Sequence, residues 1–140
     1  MKYFALAVFI VLSAPSLASA DSLCTDAEST SDMRECLNEL NREANILMEQ
    51  YLTAAIERYG DDEVVVAGIR SAQAAWEAYR SAHCDSVFSA WRDGSIRFDM
   101  ASLCGTYTTR MRTHDIWREF LTYMDSSHPV LPEPELMLGQ

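Results

Sequence analysis

Apolar residues between Ser31 and Tyr59 recur in alternating steps of four and three, and this rhythm constrains the fold more than any other feature of the chain. The apolar positions are Met33, Leu37, Leu40, Ala44, Leu47, Tyr51 and Ala54. A helix that buries one face produces this spacing, because residues three and four apart lie on the same side. Ser29, Thr30 and Ser31 offer N-caps, and Gly60 offers a stop. We therefore predict a long helix over about 31–59.

Two further helices follow. Asp61, Asp62 and Glu63 cap and charge the start of the second helix, and Gly94-Ser95 breaks it. Its inner stripe is Val66, Ile69, Gln73, Trp76, Arg80 and Val87, with Ala72, Tyr79 and His83 beside it. A third helix over about 99–124 has its apolar side at Met100, Leu103, Tyr107, Met111, Trp117, Leu121 and Met124. No segment alternates with the period of a strand. We predict an all-α fold, a small antiparallel bundle of three main helices.

The turns also predict how the helices face one another. If the first two helices form a hairpin that turns near Gly60, facing residues have numbers that add up to about 121. Ala44 then faces Trp76, and Leu47 faces Gln73. A small residue opposite a bulky indole is a reasonable packing arrangement.

Four cysteines, Cys24, Cys36, Cys84 and Cys104, predict two disulfides, because their number is even and the chain begins like an exported one. No C-x-x-C spacing suggests a metal site instead. The helix register brings Cys84 opposite both Cys36 and Cys104, and therefore does not select a pairing. Cys36–Cys84 with Cys24–Cys104 and Cys24–Cys36 with Cys84–Cys104 both remain open.

Residues 1–20 have the layout of a secretory signal peptide. Lys2 precedes the apolar run Tyr3–Leu12, and Ala18-Ser19-Ala20 forms an A-x-A cleavage site. The run is too short for a membrane span, which needs about twenty apolar residues. We expect cleavage after Ala20, no membrane insertion afterwards, and a periplasmic or secreted protein. Residues 21–126 then form the helical domain, and 127–140 form a proline-containing extended segment, the C-terminal arm.

The charge of the chain excludes some partners and favours others. Twenty-one acidic and eleven basic side chains give a formal net charge of −10, and loss of the leader with its single lysine leaves −11. Binding to nucleic acid needs clustered basic residues, so we predict no nucleic-acid partner. A strongly acidic protein associates faster with a cationic partner.

The sequence lacks the residue patterns of an enzyme. His83, His114 and His128 are the only histidines, and no G-x-S-x-G elbow, phosphate-binding glycine loop or H-E-x-x-H spacing is present. His83 adjoins Cys84, but neighbouring helix residues point about 100° apart, and we expect that cysteine to be oxidised. We predict no catalytic residues, no metal and no cofactor.

Gln73, Trp76 and Arg80 share one face of the second helix at positions where apolar residues are expected. A buried guanidinium needs a carboxylate or several carbonyl partners. Glu39 and Glu43 are the candidate carboxylates in the facing register. Two interpretations remain: an internal polar network that fixes the helix register, or a face that contacts a ligand.

The same segment carries a family resemblance. Ala72-Gln73, Trp76, Tyr79-Arg80 and Cys84 form the pattern A-Q-x-x-W-x-x-Y-R-x-x-x-C, which resembles the signature of the LprI-like lysozyme-inhibitor domain. Further matching positions are Cys24, Cys36, Tyr51, Gly94-Ser95, Cys104 and Thr109-Arg110. Together these positions span roughly Cys24 to Arg112.

The resemblance implies an exported helical domain and suggests inhibition of a cationic lysozyme as its function. The residues it singles out for binding are Gln73, Trp76, Tyr79, Arg80 and Arg110. Two turns are candidates for the inhibitory segment. One is formed by Arg92, Asp93, Gly94 and Ser95, where Arg92 can reach a carboxylate in an enzyme cleft, and the other by Gly60, Asp61 and Asp62. The alternative is an adaptor in the cell envelope that presents a helix face to another periplasmic protein.

Overall fold

The first two helices begin at the side-chain caps that the sequence predicts. In the computed structural model, which describes residues 24–136, helix α1 spans Thr30–Arg58 and helix α2 spans Glu63–Ala90. Ser29 Oγ accepts a hydrogen bond from the N–H of the third residue of α1 at 3.1 Å. Asp62 accepts from the N–H groups of the second and third residues of α2, both at 3.1 Å. These caps satisfy donors that a helix start leaves unpaired.

The later helix boundaries differ from the prediction. Helix α2 ends at Ala90 rather than at the glycine of the next turn, and helix α3 spans Arg97–Ile116. A π-helical turn, Trp117–Leu121, continues α3, and Thr122 is already extended. Arg58 of α1 donates hydrogen bonds from Nη1 to the carbonyl oxygens of Phe120 and Thr122, at 2.6 and 3.0 Å. The third helix therefore ends before residue 124. Arg58 of α1 binds carbonyl groups at and just after its end.

The predicted all-α fold is confirmed, since residues 24–136 contain helices and no strand. Helix α3 packs closely against both α1 and α2. The two side-chain hydrogen bonds between α1 and α2 agree with the predicted register, but these helices make few close backbone contacts with each other, and α3 packs against both. Gln73 Nε2 donates to Met48 Sδ at 3.4 Å, and Arg80 Nη2 donates to Asn41 Oδ1 at 3.4 Å. In both pairs the residue numbers add up to 121.

The buried face of α1 is close to the predicted one. It consists of Leu37, Ala44, Met48, Tyr51, Leu52 and Ala55, whereas Met33, Leu40, Leu47 and Ala54 are only half-buried. The core cluster joins the later part of this face to Ile69 of α2, Ile116 of α3 and Leu121 of the π-helical turn. Trp76 packs against its edge. The apolar core therefore occupies one half of the bundle, nearer the α1–α2 turn.

The predicted apolar face of α3 is right only in part. Leu121 is buried in the core, and Met100, Leu103, Met111 and Trp117 are half-buried. Tyr107, however, is 53% exposed and Met124 is fully exposed, and the residues that α3 itself buries are mostly small and polar. These buried residues are Gly105, Thr106, Thr108, Thr109, Thr113 and Ile116. Short side chains let α3 approach both neighbouring helices, which explains why its inner face does not follow hydrophobicity.

Most of the buried threonine hydroxyls are satisfied within α3 itself. Thr106, Thr108 and Thr113 donate hydrogen bonds from Oγ1 to the carbonyl oxygens four residues earlier, at 3.0, 2.8 and 2.9 Å. A threonine that bonds in this way exposes mainly its methyl group to the neighbouring helix. The inner face of α3 therefore consists largely of polar residue types, but it presents mainly methyl groups to the neighbouring helices.

Each disulfide joins cysteines that are consecutive along the chain. Cys24 bonds to Cys36 and Cys84 bonds to Cys104, with Cα–Cα distances of 5.9 and 5.6 Å. Of the two pairings left open by the sequence, the structure has the second. The first bond fastens the segment before α1 to that helix, and the second fastens α2 to α3. No free cysteine is present in the described part of the chain.

The described part of the C-terminal arm, residues 127–136, lies against the bundle, a contact that the sequence left open. Val130 N–H donates to Leu121 O at 2.8 Å, and Leu131 packs against the core. Two bundle side chains donate to the arm's carbonyl groups: Trp117 Nε1 to Leu131 O at 3.0 Å, and Tyr51 OH to Pro132 O at 2.7 Å. The arm thus covers one side of the α1–α3 pair.

No helix between residues 24 and 136 combines the length and the apolar character needed to cross a bilayer. The predicted signal peptide lies outside the described residues.

Candidate functional site

Gln73 is the centre of a polar network inside the bundle. Its side chain is buried, with 5% of the residue exposed, and its Nε2 donates to Glu77 Oε1 at 3.1 Å as well as to Met48. Its Oε1 accepts a hydrogen bond from Arg112 Nε at 3.1 Å. One amide thereby connects all three helices, and little of it is available to a ligand.

Arg80 enters the interior beside a glycine that leaves room for it. Its Nη2 donates to Asn41 Oδ1, and Asn41 Nδ2 in turn donates to Ser102 O of α3 at 3.1 Å. A Cβ at Gly105 would overlap the Asn41 amide and would stand 3.2 Å from Arg80 Nη2. The partner of Arg80 is therefore an amide. The predicted carboxylate partners were wrong, since Glu39 is exposed and pairs with Arg42.

The interior guanidinium groups of Arg80 and Arg112 lack a full set of hydrogen bonds. Arg80 Nε and Arg112 Nη2 are buried without a hydrogen-bond partner among the described residues. Burial lowers the pKa of Arg80, against the opposing charge of Glu77, and it lowers the pKa of Arg112 against that of Asp115. Burying a charged group costs free energy unless it is hydrogen-bonded. Loss of any hydrogen bond that Arg80 or Arg112 still makes should therefore destabilise the fold strongly.

We expect Asn41→Ala to lower the free energy of unfolding more than Arg80→Met, which removes the charge that Asn41 binds. Asn41→Ala leaves the buried Arg80 without its amide and should lower the free energy of unfolding by about 1–3 kcal/mol. Arg80→Met keeps much of the side-chain volume and removes the buried charge, so we expect a loss of less than about 1 kcal/mol or a gain. Urea unfolding measures both. Gln50→Ala, which removes an exposed amide from α1, serves as the control, and a larger loss in Arg80→Met than in Asn41→Ala would contradict this account.

The other predicted binding residues do not form one surface with these. Trp76 is half-buried, and the Arg80 guanidinium carbon lies 5.7 Å from its ring centroid. Tyr79 is 57% exposed and stacks on His83 with ring centroids 5.4 Å apart. Arg110 is half-buried on α3. Of the five residues, Tyr79 is the one that presents most of its side chain to solvent.

The α2–α3 turn, residues 91–96, is exposed but well ordered by hydrogen bonds. Arg92, Asp93 and Ser95 are exposed, and Gly94 is half-buried. Gly94 N–H donates to Trp91 O at 3.0 Å, and the Arg97 Nη1 donates to Arg92 O at 3.2 Å. The Arg92 side chain makes no ion pair within residues 24–136. This turn therefore offers a free guanidinium on a fixed backbone.

Aromatic residues of the flanking helices pack next to the turn. The Phe88 and Phe98 rings meet edge to face with centroids 5.3 Å apart, and the Arg97 guanidinium lies 5.1 and 5.0 Å from their centroids. Trp91 and Ile96 are 45% and 46% exposed. The α2–α3 turn thus combines partly exposed apolar surface with one exposed guanidinium, Arg92, beside the carboxylate of Asp93.

A groove of about 830 Å³ lies between this turn and the first part of α1. Ser95 lines it from the turn, and Glu35, Glu39, Arg34 and Arg42 line it from α1. The Arg42 hydrogen bond lowers the pKa of Glu39, and Arg34 pairs with Asp99 at 3.5 Å. The groove is polar and already internally paired, which suits a protein surface more than a small apolar ligand.

The geometry provides no constellation for chemistry in the described residues. No group of three or more histidine, cysteine, aspartate or glutamate side chains between residues 24 and 136 is arranged to hold a metal ion. All four cysteines are oxidised. What the structure brings together is an exposed turn, a neighbouring groove and a polar interior.

Sequence reasoning missed three members of the interior network: Asn41, Gly105 and Arg112. The register that adds up to 121 would have placed Asn41 opposite Arg80. A glycine in the middle of a predicted helix was the signal for a close approach at Gly105. The role of Arg112 had no such signal, because a charged residue does not stand out in a pattern of apolar positions.

These features define a small helical domain with two disulfides, a polar interior network and an exposed α2–α3 turn. Residues 22–116 match the family model described as lysozyme inhibitor LprI, which covers more than half of the chain. The protein belongs to the LprI lysozyme-inhibitor family. Comparison with the curated proteins and with the solved structures gives no match.

Proposed function

We propose that this protein is an exported inhibitor that binds lysozyme directly, with the α2–α3 turn as the segment that enters the enzyme's cleft. The observation that carries the proposal is the match of residues 22–116 to an inhibitor family. The leader expected at residues 1–20 and the two disulfides support export to an oxidising compartment such as the periplasm. Neither a metal nor a cofactor has a part in this function.

The choice of the turn follows from its shape and charge. A lysozyme cleft binds a sugar chain beside two catalytic carboxyl groups. Arg92 presents a planar guanidinium that can bind a carboxylate with two parallel hydrogen bonds. Trp91 and Ile96 flank it with partly exposed apolar surface. Tryptophan and arginine are the residue types that most often dominate the affinity of a protein interface.

Net charge supports the encounter with the enzyme. The formal charge of −10 attracts a cationic vertebrate-type lysozyme over a distance of about one Debye length. Association should therefore slow steeply as the salt concentration rises, with a smaller change in dissociation.

We expect the mature protein to abolish muramidase activity on cell walls when it is in stoichiometric excess at low salt. Arg92→Ala should weaken inhibition about 10- to 100-fold, because it removes a central charged contact. Arg70→Ala is the matched control: Arg70 is exposed on α2, roughly 30 Å along the helix from the turn, and should change inhibition less than twofold. Residual activity is measured at two ionic strengths.

Full activity at stoichiometric excess and low salt would contradict the inhibitor proposal for that enzyme and favour the adaptor alternative. Inhibition that Arg92→Ala and Arg70→Ala leave equally intact would keep the inhibitor and reject the turn. In that case the exposed Tyr79–His83 pair on α2 is the next surface to mutate.

A further inference from the structure

The C-terminal arm is bound to the helical bundle in the way that a peptide ligand is bound to a domain. The bundle recognises it mainly through its main chain. Trp117 Nε1 donates to Leu131 O at 3.0 Å, and Tyr51 OH donates to Pro132 O at 2.7 Å. Each donor is an aromatic side chain, and each acceptor is a carbonyl of the arm. Hydrogen bonds of this kind do not depend on the arm's side chains.

The sequence of the arm restricts it to an extended shape before it binds. Its prolines, at 129, 132 and 134, each fix their own φ near −65° and bias the preceding residue toward extended backbone. Residues 127–136 accordingly contain neither helix nor strand. A segment that is already extended loses less conformational entropy on docking, and this is why aromatic grooves elsewhere recognise proline-rich peptides.

Two side chains of the arm anchor it, and one polar side-chain contact orients it. Leu131 packs against the core, and Pro134 is buried. Glu133 Oε1 lies 3.3 Å from His114 Nε2, and the His114 ring packs beside Trp117 with centroids 5.3 Å apart. The contacts are continuous along the arm from Leu131 to Pro134, so the side-chain anchors add to the main-chain hydrogen bonds.

The arm is also separable from the domain that it covers. The match to the family model ends at residue 116, before the arm begins. The connection between them, residues 123–128, is exposed throughout, and Met124 is fully exposed. A segment joined by an exposed linker can leave its groove without unwinding a helix.

We propose that Tyr51, His114 and Trp117 form a binding groove for extended segments of the type Pro-x-x-Pro-x-Pro with an acidic residue before the last proline. The chain's own arm is the resident occupant, and it closes the groove to the same segment offered in trans. The groove is distinct from the α2–α3 turn, so this inference stands independently of lysozyme inhibition.

The test uses the full mature chain with the substitution Leu131→Asp, which places a charge where the arm packs on the core and leaves the groove residues intact. A fluorescent peptide of residues 127–136 is titrated with this variant and with the parent. We expect the variant to bind the peptide at least about tenfold more tightly than the parent, whose tethered arm competes at an effective concentration near the millimolar range. A peptide with glycine in place of all three prolines is the ligand control and should bind at least about fivefold more weakly.

Trp117→Phe added to the Leu131→Asp variant tests the groove itself. It keeps an aromatic ring and removes the N–H that donates to the arm, so we expect peptide binding to weaken about fivefold or more. Tyr107→Phe, an exposed aromatic on α3, is the matched control and should leave binding unchanged. Circular dichroism melts confirm that each variant is folded.

A second design covers the case in which Leu131→Asp does not fold. A protease site replaces Asp125, Ser126 and Ser127 in the otherwise unchanged chain, and the folded protein is then cleaved there. The proposal predicts that the arm fragment stays bound after cleavage and dissociates reversibly on dilution. Permanent loss of the fragment, equal peptide binding by parent and Leu131→Asp variant, or indifference to Trp117→Phe would each overturn the proposal.

Discussion

Replacing Ile116 with alanine is expected to lower the free energy of unfolding by about 2–5 kcal/mol. Ile116 is completely buried and lies in the core cluster with Met48, Tyr51, Ile69 and Leu121, where α1, α2, α3 and the π-helical turn meet. Removing its methyl and methylene groups loses transfer free energy and leaves a cavity that rigid helices fill only in part. Urea unfolding followed by circular dichroism measures the change.

Ile46→Ala is the matched control for this prediction. It removes the same atoms from α1, where the isoleucine is 45% exposed, and should change stability by no more than about 0.5 kcal/mol. Equal losses in the two variants would mean that the core is not where helix α3 meets α1. The comparison therefore tests the corrected inner face of α3.

Replacing both Cys84 and Cys104 with serine is expected to cost about 3 kcal/mol and to loosen α2. The disulfide closes a loop of 20 residues and holds α2 against α3. Helix α2 depends on this bond, because only Ile69 and Gln73 among its residues are fully buried. We expect amide hydrogen exchange in α2 to accelerate well before exchange in α1, since α2 becomes the least stable unit of the bundle.

The disulfide Cys24–Cys36 provides the comparison for that experiment. It closes a loop of 12 residues that ends within the first turns of α1, so its loss should free mainly the segment before that helix. Exchange in α2 should stay as slow as in the parent. Uniform acceleration in all helices after loss of Cys84–Cys104 would show that the bundle unfolds as one unit and would contradict the separate role of α2.

The helices and their register could be predicted from sequence because both depend on local signals. The steps of four and three in α1, the cap at Asp62 and the length of the α1–α2 turn determine which residues face each other. Gln73 with Met48 and Arg80 with Asn41 confirm that arithmetic. The choice between an internal network and a ligand face for Gln73 needed the structure, which shows that the amide is buried.

The inner face of α3 could be predicted from hydrophobicity only in part. Threonines there bury their methyl groups and bond their hydroxyls to their own helix, so the period of apolar residues identifies Leu121 but misses the buried threonines. The partner of Arg80 was missed for a related reason. A search for a carboxylate overlooks an amide at Asn41, whose approach depends on the absence of a side chain at Gly105.

The docking site of the arm could not be predicted from local sequence patterns, for a different reason. Its proline spacing predicts an extended shape but not a destination. The destination depends on Tyr51 and Trp117, two aromatic donors that are 66 positions apart in sequence and meet only in the folded chain. The α2–α3 turn is the opposite case: Gly94 marks a turn in the sequence, and the structure adds the aromatic support beneath it.

The pairing of each cysteine with its nearest neighbour in sequence affects how the oxidised protein is made. A chain that emerges from a membrane channel with its N-terminus first presents Cys24 and then Cys36, the native partner, before any other thiol. Cys84 and Cys104 follow in the same order. Direct oxidation during emergence therefore yields the native bonds, whereas crossed pairing would need isomerisation that takes seconds to hours. For the exported protein proposed above, we therefore expect the native bonds to form without an isomerase.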